Sequence, residues 1–126
     1  MKYVIAVAIT LAFAAPAIAQ HAHGSKGPNG GMMEDVAGVH AELLTSGTTI
    51  TVNILDEASK PVSAKGMSAS MLIVNGADRE TVKLDVSGDS ALKGEAKKPV
   101  APNTQVTLML KTAAGKSGQA RYRIEK

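Results

Sequence analysis

Thr49-Ile50-Thr51-Val52-Asn53-Ile54-Leu55 is the run that decides the fold. Ile50, Val52 and Ile54 alternate with Thr51 and Asn53, so one side of an extended chain is apolar and the other polar. The run is also rich in β-branched residues, whose stiff side chains suit a pleated surface. This is the pattern of a half-buried β-strand.

The same period of two extends in both directions. Upstream, from Met32 onward, Val39, Ala41 and Leu43 alternate with His40 and Glu42, and Ser46-Gly47 turns the chain. Downstream, Asp56 to Pro61 is a turn cluster, and Met67 to Val74 forms a third run ended by Asn75-Gly76. Asn-Gly between alternating segments signals a hairpin. Its partner is Thr81 to Val86, with Val82, Leu84 and Val86 aligned. A short strand follows around Ala91 to Ala96, and Lys97 to Asn103, with Pro99 and Pro102, is a loop. Thr104 to Thr112 directs Val106, Leu108 and Leu110 inward. After a turn at Gly115 and Gly118, Gln119 to Ile124 closes the sheet through Ala120, Tyr122 and Ile124. No window past residue 20 sustains helical periodicity. About seven short strands at this spacing predict an all-β, immunoglobulin-like sandwich with an aliphatic core. The Cys-Trp-Cys signature of immunoglobulin domains proper is absent, so the likeness is architectural.

Ahead of the strands lie two segments of different character. Met1-Lys2, the apolar run Val4 to Ala14 and the small-x-small site Ala17-Ile18-Ala19 have the layout of a secretory signal peptide, residues 1–19. The apolar run is shorter than the roughly 20 residues needed to span a bilayer. Residues 20–31 are rich in Gly, Ser, Pro and Asn without apolar periodicity, which predicts a flexible arm. The β domain is expected over 32–126. A chain of this length makes one domain with a modest core.

Cysteine is absent, which excludes disulfides and thiolate metal sites. With the signal removed and no second apolar span, the expected location is the periplasm, with no membrane partner. Beyond residue 19 there are 13 Lys and Arg against 11 Asp and Glu, mixed along the chain, with Tyr122 the one aromatic residue. That composition argues against a nucleic-acid surface.

Enzyme motifs fail. Gly115-Lys116-Ser117 resembles the end of a phosphate-binding loop, but Leu110 stands where the first glycine is required and a strand follows. There is no Gly-x-Ser-x-Gly elbow and no His-Glu-x-x-His. Metal ligation fits better. His21 and His23 lie beside the amino terminus that cleavage would create, where an amine, backbone nitrogens and imidazoles can surround Cu(II) in a plane. His40 and Glu42 are two apart on a strand, about 7 Å on the same face, so an ion can bridge them. Met32 and Met33 offer thioethers for Cu(I), although adjacent strand residues face opposite ways. Met67 and Met71 share a stripe with Ala69 and Ile73, where packing is the plain reading.

Four segments occur in an order that resembles a known group: Gly27-Pro28-Asn29-Gly30-Gly31, Val39-His40-Ala41-Glu42-Leu43, Asp56-Glu57-Ala58-Ser59-Lys60-Pro61-Val62 and Gly118-Gln119-Ala120-Arg121-Tyr122. The chain is similar to small periplasmic proteins related to the amino-terminal domain of heavy-metal efflux membrane-fusion adaptors. That resemblance implies heavy-metal resistance, with an efflux adaptor as partner. Where that group often carries a histidine in the glycine-rich segment, this chain has Asn29. A second resemblance is to the copper-resistance protein C family, through His21-Ala22-His23 near the mature terminus. The expected function is a non-enzymatic, copper-binding protein that buffers the metal or hands it on. The other expectation is an interaction domain that docks a periplasmic partner without metal. The processing step has a direct check: the intact mass of the exported protein should correspond to a chain starting at Gln20, and soluble periplasmic protein still carrying Met1 would reject the signal peptide.

Overall fold

The computed structural model describes residues 25–125, and the signal-peptide segment, His21 and His23 lie outside them. Nine strands follow one another: β1 (Ser25–Lys26), β2 (Met32–Val36), β3 (Val39–Ser46), β4 (Thr49–Leu55), β5 (Ser68–Asn75), β6 (Asp78–Ser87), β7 (Ala91–Glu95), β8 (Gln105–Lys111) and β9 (Ser117–Arg123). No helix occurs among the described residues. The seven runs expected from alternation are β3 to β9. Two more, β1 and β2, precede them.

All pairings are antiparallel, in the order β1-β2-β3-β4-β7-β6-β5-β8-β9. The long β6 joins the two halves of this sheet. Its Asp78 to Leu84 portion pairs with β5, and Asp85 to Ser87 pair with β7. The sheet curls until β2 and β9, near its opposite ends, come into contact. The apolar stripes of both halves thereby share one interior: Ala41, Leu43, Ile50, Val52, Ile54 and Leu92 meet Met71, Val82, Leu84, Val106, Leu108, Leu110 and Tyr122. Met71 is fully buried in that core, the packing role its stripe suggested. Val86, aligned in the sequence with the buried Val82 and Leu84, is 43% exposed. At that point β6 has run past its last pairing with β5, Ala69 opposite Leu84, and pairs only with β7, Val86 lying opposite Leu92.

The hairpin signalled by Asn75-Gly76 is present, closed by Asn75 opposite Asp78, so that Gly76-Ala77 form its loop. Residues 25–31 differ from the expected flexible arm. Ser25 and Lys26 pair with Met33 and Met32, and a hydrogen-bonded turn follows, with Gly27 N donating to Gly31 O at 2.7 Å and Gly30 N to Gly27 O at 3.0 Å. Composition favoured disorder because the segment carries no apolar side chains of its own. The acceptor that orders it lies on β3, as described below.

Across the curl, the buried Tyr122 hydroxyl of β9 donates to the carbonyl of Ala41 on β3 at 2.8 Å. Burial pushes this phenol well above the usual tyrosine range, and the nearby carboxylates Glu34 and Asp35 add to the shift. A raised folded-state value means that the stabilisation is complete below the unfolded value of about 10 and is lost as pH rises above it. In a chain starting at Gln20, where Tyr122 is the sole tyrosine, tyrosinate absorbance and loss of β circular dichroism should therefore rise together in an alkaline titration. Tyrosinate forming near pH 10 with the dichroism intact would contradict this burial. Tyr122→Phe should lower stability at neutral pH by about 1 kcal/mol.

Candidate functional site

The centre of the amino-terminal region is the carboxylate of Glu42. Strand alternation puts Glu42 on the outer face of β3 with His40, as expected, yet its relative exposure is 0%. The Gly27–Gly31 turn lies over it. Its Oε2 accepts from the backbone N–H groups of Asn29 (2.8 Å) and Gly31 (2.9 Å), and its Oε1 accepts from Asn29 Nδ2 (2.7 Å). A buried carboxylate is tolerated only when its lone pairs are met, and charge-assisted N–H donors meet them most strongly. The approach is close enough to dictate composition. A side chain at Gly27 would collide with the Glu42 carboxylate, and one at Gly31 with the carbonyl of Leu43. Asn29 serves here as a double donor to Glu42.

His40 sits one strand pair from the tip of the β2–β3 hairpin, opposite Asp35. The tip is Ala37-Gly38, both with positive φ, 50° and 85°. Positive φ at both central positions is the requirement of a two-residue turn whose twist matches its strands. The hairpin tip is held against β9: a Cβ on Gly118 would lie 2.8 Å from the Ala37 nitrogen. On this anchored hairpin, His40 Nδ1 is paired with Asp35 Oδ1. The imidazole is partly covered, with 22% side-chain exposure against 81% for Asp35. With Nδ1 directed at the carboxylate, Nε2 is the ring nitrogen left for another partner.

The other proposed ligands separate. Met32 packs against the core and Met33 faces the other way, opposite Glu42 in the β2–β3 register. Glu42 accepts three hydrogen bonds from the turn and has no exposed surface, whereas His40 on the same face is partly open. No group of three or more His, Asp or Glu residues is placed to hold a metal among the described residues. A cleft of about 370 Å³ between β5, β6 and the 97–104 loop contains Arg79, Glu80, Lys97 and Lys98 but no histidine. There the Glu80 carboxylate accepts from the Lys97 backbone N–H at 2.8 Å, and Lys98 lies 3.7 Å from Asp78. No known family profile matches the chain, and no curated protein or solved structure matches it.

Sequence reasoning placed Glu42 on the right face but missed its burial. The available signal was Gly-Pro-Asn-Gly-Gly followed by a glutamate on a strand: adjacent free amides and an acceptor able to take them. Glu42→Ala should leave the Asn29 and Gly31 amides without that acceptor and cost about 3 kcal/mol in urea unfolding. Glu42→Gln, which keeps the volume but replaces one acceptor with a donor, should also destabilise. Amide exchange at Asn29 and Gly31 should be slow in the parent protein and fast in both variants. Fast exchange in the parent would rule out the clamp.

Proposed function

We propose that this chain is a periplasmic, non-enzymatic protein that binds a transition metal, with copper preferred, and buffers it or passes it to a heavy-metal efflux adaptor. Its curled sheet is read as an immunoglobulin-like sandwich that follows a cleaved signal peptide. The observation carrying the proposal is the Asp35–His40 pair. Metal-ligating histidines commonly give one ring nitrogen to a carboxylate, which fixes the tautomer and raises the basicity of the other. Here that leaves His40 Nε2 as a ligand on an anchored hairpin. The imidazoles of His21 and His23 and the processed amine supply the remaining nitrogen donors, a set suited to tetragonal Cu(II). Met33, on the outer face, is the thioether closest in register to this region for a Cu(I) state, and Met32 belongs to the core.

A second reading rests on a different feature. The turn over Glu42 is held by three hydrogen bonds and exposes Pro28, Asn29 and Gly30. A rigid, exposed turn is a suitable docking element for a protein partner, with no metal involved.

Copper titration of the processed chain separates the two. Cu(II) should bind at close to one equivalent, and His21→Ala together with His23→Ala should abolish tight binding while leaving the melting temperature nearly unchanged. His40→Ala should weaken binding, and Asp35→Ala should do so by about 10–100-fold through loss of the oriented imidazole. Acidification should release the metal, since imidazoles must lose a proton to ligate. Absence of binding by the parent chain would leave the docking reading. Binding unchanged in Asp35→Ala and His40→Ala would remove the folded domain from the site.

A further inference from the structure

The outer face of the β6-β5-β8-β9 half is a regular grid. Register gives three cross-strand rows: Arg79-Val74-Gln105-Arg123, Thr81-Leu72-Thr107-Arg121 and Lys83-Ser70-Met109-Gln119. A fourth row carries Ser68, Lys111 and Ser117, and Asp85 follows Lys83 on the same side of β6. This face therefore holds five cations, Arg79, Lys83, Lys111, Arg121 and Arg123, against two anions, Asp85 and, just past β9, Glu125, with Glu34 of β2 at its edge beside Arg121 and Arg123. The remainder of the described chain has the opposite balance, seven cations to nine anions. All five cations are exposed, and none is ion-paired among the described residues.

Their arrangement says what they fit. Arg79 and Lys83 on β6 form one flank, and Arg121 and Arg123 on β9 form the other. Three inter-strand spacings, about 15 Å, separate the flanks. Between them, Ser70, Leu72, Val74, Thr107 and Met109 are half-buried and uncharged. A single extended acidic peptide is too narrow to meet both flanks. A flat anionic surface meets both at once, and the half-buried strip lets it come close without a desolvated charge beneath it.

We propose that this sheet face is a peripheral docking surface for an anionic phospholipid membrane, held by charge rather than by insertion. Such an association needs no spanning segment, and it departs from the expectation that the exported chain has no membrane partner. Basic residues at an anionic surface act roughly additively and only within a Debye length.

The test is sedimentation of the full exported chain with vesicles of phosphatidylcholine alone and with vesicles containing equal parts of phosphatidylglycerol and phosphatidylcholine. Binding is expected to the anionic vesicles only, and it should disappear at high salt. Arg121→Ala with Arg123→Ala should lower partitioning by roughly thirtyfold. Lys60→Ala with Lys65→Ala, in the β4–β5 connection, should leave it unchanged. Circular dichroism of each variant checks that exposed substitutions leave the fold intact. Lack of binding to anionic vesicles overturns the proposal, as does equal binding to neutral ones. An equal loss in the Lys60 and Lys65 variant would reduce it to nonspecific charge. Binding to an acidic polypeptide or DNA but not to vesicles would reassign the face to another class of partner.

Discussion

The amino-terminal third of the fold depends on one buried carboxylate. Glu42 lies beneath the Gly27–Gly31 turn and takes two backbone amides and one side-chain amide. Without that acceptor, a glycine-rich segment has only its two turn hydrogen bonds and the short β1 pairing to offset the entropy of being ordered. With it, the turn is fixed, β1 can pair with β2, and the outer face of β3 is closed over at Glu42 while His40 stays partly open. One anion thus sets where the covered and accessible parts of this surface lie.

A second constraint acts through the interior. The curl brings β9 beside β2, and the contact is secured at two places of different kind. The Tyr122 hydroxyl reaches the Ala41 carbonyl, and the hairpin tip at Ala37 rests where Gly118 has no side chain. The second contact matters for the candidate metal centre because it anchors the hairpin that carries Asp35 and His40. A histidine that must keep one nitrogen on a carboxylate benefits from a support that does not shift.

Most of the sheet was legible in the sequence because its code is local. Alternation at Ile50, Val52 and Ile54, or at Val106, Leu108 and Leu110, reports a strand and its buried side without reference to anything distant. What was not legible depended on neighbours remote in the chain. Glu42 reads as solvent-facing until the turn that covers it is in place. Val86 continues a perfect alternation, yet β6 has by then passed the end of β5 and the side chain is partly open to solvent. Charges that look mixed along the sequence are sorted by strand parity and strand order together: Lys83 and Arg121 are far apart in the chain and share a face only because β6, β5, β8 and β9 are adjacent. Parity was available from the pattern, and order was not. The Asp35–His40 pair is intermediate, since it requires knowing that Ala37-Gly38 closes a two-residue hairpin, which Ala37 does not advertise.

The bond between Tyr122 and Ala41 spans 81 residues, whereas the hairpins that make up most of the sheet close loops of only a few. Loop-closure entropy grows slowly with length, and this difference is worth roughly 2–3 kcal/mol. The seam between the ends of the sheet is therefore the costliest contact to form, and it gains little from local geometry. Closure of the barrel-like curl is for that reason the natural weak point in the cooperativity of the domain, where partial opening exposes the core with the least disturbance elsewhere.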